Sequence, residues 1–311
     1  MAIDIASSED NPTPAAPAEE NPTTAAAPRP TQPRPVPVVP DEEAVDMTPG
    51  PAPADHPTFV YAIGRIEARF PSLGVEKEFA QATGRADSAG LTDRETAQAV
   101  LSDPANRYLA RQLCWVLTVE GIDTYVLIAR DGTDLGLLID AIRPTPSPLD
   151  VDVVIGTLGP LAGPDVCNGL VAPMVAFDQI YSFDSEAFLS AIPRPEGVAA
   201  KDFRKASEDV FTRIGQIADN SGATDEHRAL NYLTMRYPRI YDRAAEQFAR
   251  NSSLTAVEVL PSRLSGVRQI VNAVFTYTDR STGVQEKFAV KVDVTEEFPF
   301  LIGALSPYYN R

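Results

Sequence analysis

From Lys287 to Thr295 apolar and polar residues alternate without a break, with Phe288, Val290, Val292 and Val294 on one side and Lys287, Lys291, Asp293 and Thr295 on the other. Successive side chains of a strand point to opposite faces, so this segment fits a sheet with one wet face and one dry face. Its partner strand runs from Val267 to Thr278, Asp279 to Gly283 supplies the turn, and Leu254 to Leu260 completes an antiparallel meander. The dry face requires a cover, and the residues just upstream have helical spacing. Phe203, Ala206, Val210, Ile214 and Ile217 recur every three to four residues between Ala199 and Asp219. Thr224 or Asp225 caps a further helix through Met235, and Pro238 separates it from another over Ile240 to Arg250. The fold class that follows is α+β, an antiparallel sheet or meander packed against helices.

The preceding stretch reads less regularly. Thr58 to Phe70 is rich in β-branched and aromatic residues and is stopped by Pro71, which predicts an opening strand. Val75, Phe79 and Ala82 share one face of a first short helix, and Thr92 with Glu95 forms a capping box for a second whose buried stripe is Ala97, Val100 and Leu101. Gln112 to Val119 and Thr124 to Ala129, separated by Gly121-Ile122-Asp123, predict a buried hairpin with Cys114 and Trp115 in the core. Asp134 to Ile142 reads as a helix and Val151 to Leu158 as a strand. Gly156, Gly159, Pro160, Gly163 and Pro164 then argue against regular structure until Val171, and Ser185 to Ile192 reads as one short helix.

Half of the 28 prolines precede Thr58, in an Ala/Pro/Thr/Glu-rich stretch with few large apolar side chains to offset the entropy of ordering. The domain reading is therefore a disordered acidic arm over 1–57 and a folded domain over 58–311, with possible lobes 58–160 and 199–311. The arm holds ten acidic and two basic residues of a chain whose formal charge is −16. The remainder is mildly acidic, which argues against nonspecific nucleic-acid binding and against a basic face for anionic lipid. No apolar run approaches a membrane span and no signal-peptide pattern opens the chain, so a soluble, cytoplasmic protein is expected. Cys114 and Cys167 are too few and too far apart to suggest a disulfide scaffold or a zinc ribbon, which fits a reducing compartment.

No catalytic, cofactor-binding or metal residue is assigned. His56 lies in the arm and leaves His227 as the one histidine of the folded part, at the start of a helix. Cys114 with His227 is the thinkable nucleophile and base, and Asp184 with Glu186 the thinkable carboxylate pair, but an apolar strand raises a thiol pKa rather than activating it. Gly156-Thr157-Leu158-Gly159 lacks the Gly-Lys-Ser/Thr of a phosphate loop and reads as a turn. Glu296 and Glu297 are adjacent, so on a strand they face opposite ways and cannot act together. Phe298, Phe300, Tyr308 and Tyr309, broken by Pro299 and Pro307, either seal a sheet edge or form a contact surface.

Three blocks carry a likeness: Thr58-Phe59-Val60-Tyr61-Ala62-Ile63-Gly64, Arg228-Ala229-Leu230-Asn231-Tyr232, and Lys291-Val292-Asp293-Val294-Thr295-Glu296-Glu297-Phe298-Pro299. They resemble the C-terminal domain, of unknown function, of the PatG-like cyanobactin maturation proteins, in the same order over everything after Pro57. In that family the domain follows a subtilisin-like protease acting on a ribosomally made precursor peptide, and here it stands without the protease. Members closest to the peptide cyclases have cysteines near the hairpin corresponding to Pro261 to Asn272, where this chain has none. The resemblance implies a non-catalytic accessory or recognition protein of ribosomal-peptide maturation. Its implied partners are a precursor peptide or the maturation protease, or a second copy in a homodimer, with no cofactor, nucleic acid or membrane. The alternatives are an enzyme of undiscovered type, a hydrolase using Cys114 or His227, and a purely structural dimerisation scaffold.

Overall fold

The structure is a computed structural model that describes residues 58–85, 93–145, 147–217, 219–263 and 265–309. The arm with His56, and the Thr92 half of the capping box, lie outside the described residues.

The first half of the chain builds a barrel. Strand β1 (Phe59–Arg69) leads into helices α1 (Leu73–Arg85), α2 (Asp93–Ser102) and α3 (Arg107–Gln112). The hairpin β2 (Cys114–Val119) and β3 (Ile122–Ile128) follows, then helix α4 (Gly132–Ala141), capped by the Asp131 carboxylate accepting from the Thr133 and Asp134 amides. Two long strands, β4 (Asp150–Leu161) and β5 (Pro173–Asp184), close the barrel in the order β1-β2-β3-β5-β4. All neighbours are antiparallel except β3 and β5, which run parallel through Val126 opposite Met174. Side chains from all five strands, among them Val60, Leu117, Leu127, Val154 and Phe177, meet in one core with Leu101, Leu109, Leu135 and Leu138 of the helices.

Two features of the barrel depart from the sequence reading. Gly156 to Gly159 is not a turn, because β4 runs on to Leu161 and absorbs Gly159-Pro160 in a register shift between Leu158 and Leu161, the kind of irregularity at which a strand tolerates proline. A Cβ on Gly156 would stand 2.4 Å from the Ala176 carbonyl oxygen, so the glycine lets β5 approach. The second departure is β5 itself, which no periodicity announces: Met174 to Phe177 are four apolar residues in a row, followed by Asp178 and Gln179. Without β5 the barrel cannot be inferred.

The second half follows the expected pattern closely. Helix α5 (Ser185–Ala191) is capped by Asp184, and α6 (Ala200–Gly215), α7 (Asp225–Arg236, capped by Thr224) and α8 (Arg239–Ala249) lie against a sheet. The sheet holds β6 (Ser252–Pro261), β7 (Ile270–Asp279) and β8 (Gln285–Asp293), with short β9 (Phe300–Leu301) and β10 (Ser306–Pro307) both pairing with β8. Val271, Ala273, Phe275 and Tyr277 of β7 join Phe288, Val290, Val292 and Val294 beneath Phe203, Val210, Leu233 and Tyr241 of the helices. The β7–β8 turn is fastened by Asp279, whose Oδ1 accepts from the Ser281 and Thr282 amides and hydroxyls. Those donors hold its carboxyl well below the usual carboxylate range.

Barrel and helix-covered sheet belong to one compact unit. Their seam is polar and buried: Asn231 Nδ2 donates to the Tyr61 carbonyl at 2.7 Å, the Asn220 and Asn231 amides bond each other, and the Tyr61 amide donates to the Gly222 carbonyl at 2.9 Å.

Candidate recognition surface

The thinkable nucleophile does not exist as a thiol. Cys114 on β2 and Cys167 in the β4–β5 loop form a disulfide with Cα atoms 5.4 Å apart, an ordinary span for such a bond. This corrects the expectation of two free cysteines, and the compartment argument drawn from them falls with it. The loop that delivers Cys167 is itself compact, since the Gly169 amide donates to the Pro164 carbonyl and the Ala162 amide to the Ala172 carbonyl. His227 lies in the first turn of α7 with its backbone amide on the Thr224 hydroxyl. Burial pulls its imidazole pKa down, and Nδ1 is buried with no hydrogen-bond partner. Asp184 is spent as a helix cap, and Glu186 pairs with Arg204 on α6, so that carboxylate pair does not converge.

Glu296 and Glu297 sit in a bend after β8 rather than on a strand. Arg228 of α7, itself buried, donates to the carbonyls of Val294, Glu296 and Glu297 and so fixes the bend from one side. From the other side the Glu297 carboxyl lies beside that of Asp178 of β5. Arg130 holds Asp178 at 2.5 Å and is anchored on Asp134. Burial, then Asp178, push Glu297 up to about 7, while the proton from Glu297, then Arg130, hold Asp178 below its ordinary value. Sequence reasoning missed this pair because its members come together only through β5.

The aromatic ending divides between its two readings. Strands β9 and β10 seal the outer side of β8, with Leu301 opposite Val292 and Pro307 opposite Phe288. Phe298, Phe300 and Tyr309 nevertheless stay exposed, Phe300 with the Arg268 guanidinium over its ring at 5.3 Å.

The opposite edge is different. Strand β6 pairs with β7 on one side, and among the described residues no strand pairs with its outer side. The Ser262 amide donates to the Ile270 carbonyl, and the register places Leu260, Glu258 and Ala256 opposite Asn272, Val274 and Thr276. Antiparallel hydrogen-bonded pairs recur at every second residue, so those three face β7 with their backbone groups. Val257 and Val259 therefore turn their N–H and C=O groups outward. Arg213 reaches over this edge, its Nη1 donating to the Thr255 carbonyl at 3.3 Å, and Pro261 ends the strand. Beside the outward amides, on the sheet face away from the helices, lie the half-exposed Glu258, 3.9 Å from Lys287, and the exposed Leu260.

Among the described residues no helix is long and apolar enough to cross a membrane, and no three His, Cys, Asp or Glu side chains group as metal ligands do. A search of the curated proteins finds no match. Residues 197–308 match the family model described as PatG C-terminal. A solved structure titled PatG Domain of Unknown Function superposes with a TM-score of 0.64 at 20% identity, covering 81% of this chain and 98% of the other. At that identity the superposition speaks for the fold. The chain is thus similar to the PatG C-terminal family over residues 197–308, and it shares the fold of that solved structure over most of its length.

Proposed function

We propose that this protein is a non-catalytic recognition protein of ribosomal-peptide maturation, and that it binds a precursor peptide, or an extended segment of the maturation enzyme, along β6. The observation that carries the reading is the outer side of β6, unpaired among the described residues, where Val257 and Val259 present a donor and an acceptor each. An added strand gains affinity from those backbone bonds and selectivity from side chains next to Glu258 and Leu260. The link to peptide maturation rests on the PatG C-terminal match. The engagement of Cys114 in a disulfide weighs against the thiol hydrolase.

The Pro-rich run from Pro28 to Pro40 is an unsuitable occupant, because proline has no N–H to give to a strand edge. A second copy is disfavoured by the repulsion between two chains of formal charge −16. Calorimetry against a precursor peptide encoded beside the gene tests the proposal. Wild type binds, and Val257→Pro, which deletes one outward N–H left unpaired among the described residues, weakens binding about tenfold, the value of one net hydrogen bond to an unsatisfied group. Equal affinity for both proteins, or no heat at high micromolar peptide, sinks it. A concentration-dependent dimer abolished by Val257→Pro would replace the peptide with a second copy.

A further inference from the structure

Asp178 and Glu297 meet where the barrel touches the bend that ends the sheet's central strands. Asp178 belongs to a barrel strand tied into β4, whereas Glu297 belongs to a bend whose carbonyls are held by Arg228 of α7. Glu297 Oε1 is buried and has no donor aimed at it. Two ionised carboxylates side by side repel and leave that oxygen without a partner, whereas a single proton between them makes the contact attractive. The charged groups around the pair come from the start of α4 and from α7. Arg130, before α4, lies against Asp178 and is shared with Asp134, while Arg228 of α7 faces Glu297 and is shared with Asp225. Neither arginine is free to serve Glu297 alone, since Arg130 bonds Asp134 and Asp178 and Arg228 bonds backbone carbonyls.

We propose that Asp178 and Glu297 form a proton-operated clasp between barrel and sheet, closed when the pair holds one proton and loosened when both carboxyls are ionised. Arg130 positions Asp178 for this by keeping it the acceptor, so that Glu297 is the member that carries the proton. The segment released is the bend from Thr295 to Phe298, next to the exposed Phe298 ring, because beyond it the β9 and β10 pairings and the bond from the Leu305 amide to the Tyr237 hydroxyl still hold the chain.

The sign follows from the direction of the shift. A carboxyl whose folded pKa is raised favours folding fully below its unfolded value, and this contribution is lost as pH rises through the folded value near 7. The stabilisation therefore fades between the unfolded glutamate range of about 4.3 and neutrality.

The test is a carbon-detected titration of the Glu297 carboxyl, assigned by its loss in Glu297→Gln, together with thermal unfolding from about pH 5.5 to about pH 8. The expected results are a midpoint near neutrality, and a wild-type melting temperature that drops more over this interval than that of Glu297→Gln, whose amide donates to Asp178 at every pH. Amide exchange across Val294 to Phe298, corrected for intrinsic chemistry, should quicken at the upper pH in wild type and stay level in the variant. A midpoint below about 5, or parallel melting profiles, overturns the clasp. Should Glu297→Gln fail to fold, Asp178→Asn decides instead. It lowers the Glu297 midpoint toward the ordinary range if the pair shares a proton, and a midpoint that stays near neutrality assigns the shift to burial and rejects the proposal.

Discussion

Gly222 sits at φ +80°, and a Cβ there would stand 2.4 Å from the Tyr61 carbonyl oxygen. Both faults act together: a side chain strains the left-handed backbone, and it collides with main chain that has no rotamer to move. Gly222→Ala should therefore cost about 2–4 kcal/mol, more than the backbone conformation alone explains. Urea unfolding checks it, and a loss under about 1 kcal/mol would mean that the loop relaxes freely. The same seam shows what residue-level reading reaches. Arg228 and Asn231 stand in one of the blocks that carry the family likeness, yet neither residue type predicts burial. Their work, on the Val294 and Tyr61 carbonyls, depends on partners far away in sequence. The acidic pair at Asp178 and Glu297 is illegible for the same reason, and adjacency made Glu296 the distracting neighbour.

Elements with a clear period were readable, and those set by tertiary pairing were not. The alternation at Phe288 to Val294 and the three-to-four spacing in α6 were both legible, since each buries one face only and the pattern records which. In β5 the signal fails, because its apolar residues bunch at Met174 to Phe177 and its parallel neighbour β3 arrives through a long crossover. The disulfide shares that blindness, as two cysteines 53 residues apart give no hint of their separation in space. It closes a loop that spans β3, α4 and β4, so its removal should release entropy to the unfolded chain. For a loop of 53 residues the chain-entropy relation gives about 4 kcal/mol. Unfolding with and without dithiothreitol measures this, and coincident curves at full reduction would show that the Cys114–Cys167 bond stabilises nothing.

Across the whole molecule, two cores of different origin are made into one unit by a narrow polar seam. Apolar side chains also cross it, with Tyr61 of the barrel edge-on to Tyr232 of α7 at 6.4 Å, but the directional part is the Asn220–Asn231–Tyr61 set. Buried amides of this kind add little net stability when fully bonded and cost heavily when one partner is removed. Asn231→Leu keeps the branched shape and deletes the donor, leaving the Tyr61 carbonyl unsatisfied and Asn220 without its bonds to residue 231. About 2 kcal/mol should be lost, a fall in melting temperature of roughly 4–8 °C for a body of this size. Cooperativity is the sharper readout, because the seam couples two cores that each have their own apolar contacts. Calorimetry of wild type should give one transition whose van't Hoff and calorimetric enthalpies agree, and Asn231→Leu should broaden it until the van't Hoff value falls short. A variant that melts earlier with that agreement intact would place the coupling in the aromatic contacts and in Arg228, and would leave the asparagines as local ballast.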